Sequence, residues 1–564
     1  MDNQRFFIWA VFGFMCLLNY QAWIQQNAQN YQYMDRSVET TQDIKQNNQT
    51  GLEDNIPEII DMQTSSTNRN TGLQQTNDTL GTDIVKIKTD VLEMSVNLVG
   101  ATIQEIKLLN YPISKDKPDD LVELINQSIN NYGLIQSGIR ASDKKQEANH
   151  LVKFSSDTKN YELNFDGDLI VPFRWESGDG ITVEKQFILK QGNYNIRLEQ
   201  IVRNDSNQEW RGAQYSQLVR RVNKDDRSMF DVESFSFDGP IIFDGEKSEK
   251  VDPSDLLEEG PLKYSASSGW LGTIQHHFVT AIIPGTDNEF RYQINADNDK
   301  IIANLIGPTQ SVYPGENIRF KTNVFTGPKL QSQMEEITPT LKLTVDYGFL
   351  TLLSDPLFWL LSFIYSYVNN WGFSIILVTV FIKLLFYKLT EKSGHSMAKM
   401  RALAPRLKSI QERYKDNREQ LGRATMELYK REKVNPAAGC VPMLIQMPFF
   451  LAFYWVLLES VEMRQAPFIF WLTDLSSRDP FFVLPLMMAG AMLIQTKLNP
   501  APADPMQAKV MQIMPIMFSV MFAFFPSGLV LYWVTNTILS ILQQWLINKK
   551  LGVDTTVGPF MGSM

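Results

Sequence analysis

The stretch from Trp371 to Thr390 constrains the chain most, because it is apolar enough for a membrane and carries a charge in its middle. The run from Gly372 to Leu389 is 18 residues long, which just lets a helix cross the hydrocarbon core. Lys383 lies inside it, with Thr379 and Tyr387 four residues to either side, so one helical face would carry all three. A lysine at that depth costs about 2.5–3.5 kcal/mol on insertion scales, so it either faces a polar path or snorkels to the interface.

Charges are distributed unevenly along the 564 residues. Residues 371–564 hold 20 of the 53 Lys and Arg but only 12 of the 62 Asp and Glu, which leaves 33 basic and 50 acidic residues in 1–370. Because short basic loops stay on the cytoplasmic side of a membrane, this asymmetry indicates an acidic exterior part and a basic cytoplasmic part. It does not predict nucleic acid as a partner. The two cysteines, Cys16 and Cys440, offer no disulfide framework to an exported domain, whose core must then be hydrophobic.

The N-terminal residues 1–24 read as an uncleaved membrane anchor. Phe6–Ile24 is 19 residues long, enough to span, and no small-residue cleavage site follows it. Residues 25–82 then contain 18 Asn or Gln among 58 positions and few aromatic residues. Such a segment cannot bury enough apolar surface to offset the entropy of ordering, so we expect a disordered tether.

From 83 to 340 the pattern changes to alternation of apolar and polar residues, which predicts strands. Every second residue of Leu92–Leu98 is apolar, and Thr182–Leu189 and Tyr194–Val202 flank a glycine-containing turn typical of a hairpin. About 250 residues of this kind indicate a large β-sandwich. His276 and His277 are adjacent, so in a strand they would point to opposite faces. They predict neither a catalytic pair nor a metal site.

Residues 341–370 are apolar but contain Asp355 and Pro356 in their middle. The part that follows, Leu357–Val368, is too short to span a membrane alone. Its apolar residues recur at helical spacing, which predicts an amphipathic helix lying in the membrane interface. These residues are Leu357, Leu360, Leu361 and Ile364.

The next segment, residues 391–435, contains twelve basic and six acidic residues, which predicts a cytoplasmic location. Met400–Tyr414 and Leu421–Leu428 both carry apolar residues at spacings of three and four, with Lys415–Asn417 between them as a turn. This pattern predicts an antiparallel helical hairpin of coiled-coil character. The alternative is a solvated basic loop without structure.

Three more apolar regions complete the chain. Cys440–Leu458 and Phe481–Gln495 each predict one span, and Val510–Ile547, broken at Phe525–Gly528, predicts two. With the N-terminal anchor and the Lys383 helix, the total is six. An N-terminus inside the cell then places 25–370 outside, and the basic hairpin and the short tail 548–564 inside, in agreement with the charges.

The last predicted span carries its own polar face. Trp533, Asn536 and Ser540 recur at spacings of three and four, and Gln446 adds a carboxamide to the third span. A single Ser, Thr or Asn in a membrane helix often bonds only its own backbone or joins two helices. Three helices with polar faces, one of them charged, favour a water-filled groove. The chain has no P-loop, no zinc-binding motif and no nucleophile with a plausible base, so an ATP-driven pump or a protease is poorly supported.

Seven short motifs then occur in order between residues 346 and 529. They are Asp346–Gly348, Trp371–Ser374, Ser396–Met400, Asn435–Pro436, Gln446–Pro448, Arg464–Phe468 and Phe525–Leu529. Together they resemble the YidC family of bacterial membrane protein insertases over residues 345–547. The preceding sandwich resembles the large periplasmic domain of the Gram-negative members.

The resemblance implies a groove whose positive residue, ordinarily arginine, is Lys383 here. Lysine keeps the charge but lacks the guanidinium fork. The resemblance also implies an inner-membrane chaperone and insertase rather than an enzyme, with no catalytic residue, cofactor or metal. Its implied partners are nascent membrane proteins, the lipid bilayer, the Sec translocon and the translating ribosome, and both termini would be cytoplasmic. Further groove or substrate-contacting roles fall on Thr379, Gln446, Trp533, Asn536 and Ser540.

We therefore expect a multi-span α-helical membrane protein with six transmembrane helices and a large periplasmic β-sandwich. Five of the helices would form an insertase core at 371–547, which moves nascent hydrophobic segments into the membrane without nucleotide hydrolysis. The alternative is a solute transporter or channel with an extracytoplasmic sugar-binding domain. Transporters of this size commonly contain internal repeats, and 371–547 contains none that is recognisable.

Overall fold

The computed structural model describes residues 83–550 apart from 116, 129–131, 165–166, 222–236, 298–299, 415–416, 433–440 and 499–504, and before residue 83 it describes only Pro57. The expected anchor at 1–24, the tether at 25–82 (Pro57 aside) and the tail from 551 onward lie outside the described residues.

The first part of the described chain is built from strands, as the alternation of apolar residues predicts. Short helices α1 (Pro253–Glu259) and α2 (Gln331–Ile337) accompany them. The strands are β1 (Ile84–Lys88), β2 (Leu92–Asn97), β3 (Thr102–Ser114), β4 (Lys117–Ile125), β5 (Gly133–Ala141), β6 (Asn160–Glu162), β7 (Asp168–Glu176), β8 (Ile181–Lys190), β9 (Asn195–Asn204), β10 (Trp210–Arg221), β11 (Asp238–Phe243), β12 (Ser248–Lys250), β13 (Leu262–Ala266), β14 (Trp270–Gln275), β15 (Phe278–Pro284), β16 (Phe290–Asp297), β17 (Lys300–Ile306), β18 (Gln310–Val312) and β19 (Asn317–Pro328).

These strands form two mostly antiparallel sheets that share one hydrophobic core. The first has the order β13-β16-β17-β10-β5-β3-β2-β1-β6, with β18 beside β10 and β4 beside β3. The second has the order β12-β11-β14-β15-β19-β9-β8-β7. Buried residues of both sheets belong to the same apolar cluster, so the domain is a β-sandwich. The predicted β8–β9 hairpin is present, with Val183 opposite Val202.

One inward position of the sandwich holds a lysine. Lys185 lies on β8 between the buried residues Val183 and Phe187, and it is itself fully buried. Its Nζ donates to the carbonyls of Gly100 at 2.6 Å and Ser137 at 2.9 Å, so it links the two sheets. Burial lowers the pKa of Lys185 to about 7. The two backbone acceptors offset part of the cost of placing this group in the core.

The adjacent histidines do not lie on opposite faces of a strand, which corrects the sequence-based expectation. His276 has a positive φ of 41° at the turn between β14 and β15, and its ring stacks on that of His277 with centroids 3.7 Å apart. The turn reverses the chain, so the period-two rule for side-chain direction does not apply there.

Helices follow the sandwich. In the described residues they are α3 (Thr351–Val368), α4 (Trp371–Leu385), α5 (Tyr387–Ala402), α6 (Ala404–Arg413), α7 (Arg418–Arg431), α8 (Val441–Glu459), α9 (Val483–Leu498), α10 (Pro505–Phe522) and α11 (Ser527–Lys550). The predicted break near Phe525–Gly528 is confirmed, because α10 ends at Phe522 and α11 begins at Ser527.

The sequence suggested one straight helix for the charged apolar stretch, but the structure divides it into two. α4 ends at Leu385, and α5 continues at an angle of 62°. No Pro or Gly lies between Thr379 and Ser393 to mark this bend. At the bend, between α4 and α5, the Phe386 ring lies edge-on to that of Phe449 on α8, with centroids 5.0 Å apart. Tyr387 therefore follows the bend and does not continue the face of Thr379.

α3 also departs from expectation, because Asp355 and Pro356 do not interrupt it. The helix runs unbroken through Pro356 over 18 residues. Proline removes one backbone donor there, and tertiary contacts compensate: Leu357 and Leu361 are buried, and Ser354 Oγ donates to the Ala452 carbonyl on α8 at 3.2 Å.

The helices of the basic segment pair as predicted. α6 and α7 carry the buried residues Leu407 and Leu428, and Arg406 Nη1 lies 2.6 Å from Glu432 Oε1 beyond the end of α7. Asn417 caps α7 by accepting a hydrogen bond from the Gln420 N–H.

By length and composition, one helix of the described residues, α3, could cross a membrane alone. The bent pair α4 and α5 passes the same test together, whereas Leu444–Glu459, Val483–Thr496 and Ile513–Phe522 are shorter apolar helices. The expected total of six spans is not established by these residues.

The sandwich is joined to the helices through the loop between α8 and α9. Arg464 Nη2 and Gln465 Nε2 both donate to the Pro112 carbonyl on β3, at 3.1 and 2.7 Å. From the turn after β3, Lys115 Nζ donates to the Thr473 carbonyl at 2.5 Å. Backbone acceptors and long side chains thus fix one edge of the sandwich on this loop.

A buried ion pair forms the second connection. Lys329 Nζ, directly after β19, lies 3.5 Å from Glu459 Oε2 at the end of α8, and both side chains are buried. His276 Nε2 lies 3.2 Å from the Leu458 carbonyl beside them. Burial lowers the pKa of Lys329, and Glu459 opposes that shift. Each charge is therefore tolerated chiefly because the other is present.

This pairing predicts a non-additive effect of mutation. Lys329→Met or Glu459→Met alone should lower the free energy of unfolding by about 3–5 kcal/mol, since each leaves an uncompensated buried charge. The double variant should recover most of that loss. Denaturant unfolding of the full chain in detergent measures all three. As a control, Lys342→Met breaks the exposed Lys342–Glu335 pair and should cost no more than about 1 kcal/mol. Additive losses at the buried pair would contradict the coupling.

Candidate functional site

α4 has an exposed face and a buried face, and its charged residue lies on the buried one. One face is apolar and exposed, as expected for a surface in contact with lipid. The other contains Thr379 and Lys383, whose exposed fractions are 1% and 9%. The exposed residues follow the helical repeat and are Phe373, Leu377, Phe381 and Leu384.

Lys383 binds across to the last helix. Its Nζ donates to Ser540 Oγ on α11 at 2.7 Å. The Ser540 hydroxyl in turn donates to the Asn536 carbonyl at 2.7 Å. The hydroxyl thus accepts from the ammonium and donates to the backbone, which uses both of its capacities. We call these three residues the Lys383–Ser540 cluster.

Thr379 makes its hydrogen bond within its own helix. Its hydroxyl is buried and donates to the Ile375 carbonyl one turn earlier, at 2.6 Å. A threonine bonded in this way satisfies its polar group inside its own helix. Tyr387 is engaged through its backbone, since Gln543 Nε2 on α11 donates to its carbonyl at 3.5 Å.

Trp533 and Gln446 lie on the α8 side of the bundle. The indole of Trp533 lies edge-on to Phe450, with ring centroids 4.5 Å apart, and 4.8 Å from the ring of Phe522 on α10. Gln446 is half-buried and precedes Phe450 by four residues, which places both on one face of α8. The structure therefore joins α8, α10 and α11 through aromatic contacts at this level.

Tyr532 is a residue that sequence reasoning missed. It is buried, stacks on Phe450 and lies edge-on to Phe453, with centroids 5.7 and 5.0 Å apart. An aromatic residue inside an apolar run has no distinctive spacing, so only the packing reveals it.

The site brings together Lys383, Ser540 and Asn536 by direct bonds, and places Thr379 one helical turn from Lys383. Gln446 and Trp533 share the aromatic contact region around Phe450. Among the residues that the structure describes, no group of three or more His, Cys, Asp or Glu side chains could hold a metal ion. The arrangement can bind polar or acidic groups.

Two family models match the chain. The YidC periplasmic domain matches residues 84–360, and the 60Kd inner membrane protein matches residues 363–554. The membrane protein insertase YidC of Nitrosococcus oceani is 44% identical over 476 residues, which are 84% of this chain and 86% of that protein. The protein of the same name from Methylococcus capsulatus is 43% identical over 480 residues, 84% and 87% of the two chains.

Solved structures give weaker matches. An active YidC insertase crystal structure with the first transmembrane domain resolved covers 82% of this chain and 92% of its own, at 18% identity and a TM-score of 0.39. A galactose mutarotase-like protein from Lactobacillus casei covers 43% of this chain and 99% of its own, at 13% identity and a TM-score of 0.30. Scores this low support no conclusion by themselves.

The bond from Lys383 to Ser540 predicts energetic coupling between α4 and α11. In a double-mutant cycle of Lys383→Met and Ser540→Ala, the coupling energy should be about 0.6 kcal/mol and at most about 1.7 kcal/mol, the average and the largest values found for interhelical hydrogen bonds in a membrane protein. Unfolding of the detergent-solubilised protein gives each term. Thr379→Ala is the matched control, because its hydroxyl bonds within α4 and should be additive with Ser540→Ala. Strict additivity of the Lys383 cycle would show that the bond contributes nothing.

Proposed function

Because the chain belongs to the YidC family of membrane protein insertases, we propose that the Lys383–Ser540 cluster is the polar groove through which this insertase handles its clients. The protein is a bacterial inner membrane protein with a periplasmic domain, and it acts on nascent membrane proteins. The observation that carries the proposal is the Lys383 ammonium bonded to Ser540 between two apolar helices. A snorkelling lysine would extend along its own helix to the interface instead.

The proposed mechanism lowers a desolvation barrier. A nascent segment that inserts must bring a polar flank across hydrocarbon, and unpaired polar or charged groups make that step costly. Lys383 would attract acidic residues of the flank, while Ser540 and the polar residues Asn536 and Gln446 would replace part of the lost water. The apolar segment would then move sideways into lipid. No step requires nucleotide hydrolysis or a catalytic residue.

The remaining parts have roles in the same proposal. The hairpin α6–α7, within the basic segment 391–435, would meet clients on the cytoplasmic side before the groove does. Trp533 would line the groove beside Phe450, with which it is in contact. The Sec translocon and the translating ribosome would be partners at the two ends of this route. The relatives support insertion of membrane proteins, and none favours the transporter or channel considered as the alternative.

We also propose the topology of six spans with both termini in the cytoplasm, and an interfacial position for α3. One face of α3 is exposed and aromatic, with Trp359 stacked on Phe363 at 5.5 Å and Tyr367 one turn further. Aromatic side chains concentrate at the boundary between headgroups and acyl chains. The opposite face, with Leu357 and Leu361, packs on the bundle.

The groove proposal predicts that the effect of Lys383 depends on the client. Lys383→Arg should retain insertion, since position and sign survive. Lys383→Glu should impair clients with acidic translocated flanks most; at about 8 Å and an effective dielectric constant of about 20, a unit charge pair is worth roughly 2 kcal/mol. Charge reversal replaces this attraction with an equal repulsion, a change of roughly 4 kcal/mol, which corresponds to at most roughly a thousandfold difference in the insertion equilibrium. A matrix of clients with acidic, neutral and basic flanks, inserted into liposomes that contain only this protein, measures it.

Lys388→Glu is the matched control, because Lys388 is exposed on α5 beyond the bend and makes the same change of charge. It should shift all clients equally and slightly. If Lys383→Leu leaves every client unaffected, the charge of Lys383 has no part in insertion. Equal losses across the three flank types would remove its electrostatic role.

The topology predicts opposite labelling of two exposed positions. In a Cys16→Ser/Cys440→Ser background, Gln420→Cys on α7 should stay unlabelled by an impermeant maleimide added to spheroplasts, while Asp179→Cys in the β7–β8 turn should react. Lysis should expose Gln420→Cys to the reagent. The reverse pattern in intact spheroplasts would reject the six-span arrangement.

A further inference from the structure

A cavity of about 540 Å³ lies where the sandwich meets the helices. It is bounded on one side by the turn between β3 and β4, and on the other by the loop between α8 and α9. The lining residues come from both parts of the chain, so the cavity exists only because the two are docked. They include Ser114 and Lys115 from the sandwich, and Thr473, Arg478, Pro480 and Phe482 from the loop.

The wall of this cavity carries a net positive charge. Lys115 comes from the sandwich and Arg478 from the loop, and both are exposed. The Lys115 ammonium donates to the Thr473 and Gln465 carbonyls, at 2.5 and 3.4 Å, which holds it at the rim. An ammonium group has three N–H donors, so it can also donate to a ligand. In the described part of the chain, the ion pairs do not include Arg478.

The one acidic residue in the wall, Asp474, is hydrogen-bonded within the loop. Asp474 Oδ1 accepts from the backbone N–H groups of Gln465 and Ser476, at 2.9 and 2.8 Å, and from the Ser476 hydroxyl at 2.7 Å. These donors stabilise the carboxylate within the loop. The carboxylate keeps its negative charge, so Lys115, Arg478 and Asp474 together leave a net charge of +1 on the wall.

The surroundings place the cavity at a membrane surface. Phe470, Phe481 and Phe482 are exposed in the same loop, with exposed fractions of 86%, 66% and 43%. Exposed Phe side chains are among the apolar groups that peripheral segments bury at the boundary between headgroups and acyl chains. The loop is also fixed at the level where α10 ends and α11 begins, because Ser527 N donates to the Ser477 carbonyl at 2.7 Å.

We propose that this cavity binds the phosphodiester headgroup of an anionic phospholipid from the periplasmic leaflet. Guanidinium and ammonium groups are the usual protein partners of phosphate, and here each comes from a different domain. Ser114 and Thr473 line the cavity beside them. Its volume falls in the range of roughly 300–1,000 Å³ typical of small-ligand sites. Phe482 and Pro480 form an apolar edge where the acyl chains would leave for the bilayer.

A lipid in this place would bridge the sandwich and the helices, since its phosphate would contact both Lys115 and Arg478. A client polypeptide is a less suitable occupant. The cavity contains no residue of the Lys383–Ser540 cluster, and its mouth is flanked by aromatic rings suited to headgroups and acyl chains. The inference does not rest on the proposed groove.

The test uses the full-length protein in nanodiscs that contain phosphatidylcholine and phosphatidylglycerol, with bound lipids counted by native mass spectrometry after release. The wild type should retain phosphatidylglycerol preferentially. Lys115→Gln/Arg478→Gln should weaken that retention roughly tenfold, the scale of lost charge-assisted hydrogen bonds. Arg478→Gln alone, at an exposed position, should show a smaller loss and covers the case in which the double variant folds poorly. Lys144→Gln/Arg203→Gln, two exposed cations of the sandwich outside the cavity, removes the same charge and should change nothing.

Three results would overturn the proposal. The first is equal retention of phosphatidylglycerol by the wild type and the double variant, or of both lipids by the wild type. The second is full competition by soluble glycerol phosphate, which would assign the site to a free phosphate ester. The third is a photocrosslinker at Ser477 that captures client polypeptide and no lipid during insertion. Capture of lipid by that crosslinker, lost in Lys115→Gln/Arg478→Gln, would support it.

Discussion

The charge of Lys383 and the acceptor it requires organise the helical part of this protein. An ammonium group among apolar helices needs a partner, and Ser540 on α11 provides it at 2.7 Å. This requirement orients α4, because the lysine must face α11 while Phe373, Leu377 and Phe381 face outward. The same bond ties the second apolar stretch of the sequence to the last. The Lys383 charge would be unfavourable among apolar helices without a partner, and its bond to Ser540 thereby determines which faces of α4 and α11 meet.

The contacts between the sandwich and the helices follow a related logic. Lys329 and Glu459 are each costly to bury alone, and they come from different domains. Their pairing makes the docked arrangement specific, and the carbonyl contacts of Arg464 and Gln465 with Pro112 reinforce it. The cavity beside Lys115 and Arg478 is a consequence of this docking. The sandwich is thus attached to the helices at the loop between α8 and α9, where residues of both parts line one cavity.

The departures from sequence-based expectation share one cause, the packing of segments that are distant in sequence. Pro356 was expected to interrupt a helix, but burial of Leu357 and Leu361 and the bond from Ser354 to α8 keep α3 continuous. The bend after Leu385 has no local signal, and it accompanies the contact of Phe386, between α4 and α5, with Phe449 on α8. A local sequence pattern limits the backbone conformations open to a segment, and contacts with distant segments decide which of them it adopts.

Periodicity determined the strands from 83 onward and the hairpin of α6 and α7, and the length of Val510–Ile547 with the turn residues at Phe525–Gly528 predicted the break before α11. Those signals are reliable because a buried face must repeat every two residues in a strand and about every 3.6 in a helix. The sequence also identified Lys383 and Ser540, since polar residues in apolar helices are conspicuous. It could not show that these two residues bond to each other. Nor could it show that the Thr379 hydroxyl bonds to a backbone carbonyl within α4, or that Lys329 forms an ion pair with Glu459. Hydrogen bonds and ion pairs between distant segments depend on distances of a few ångströms, and only the tertiary structure sets those distances.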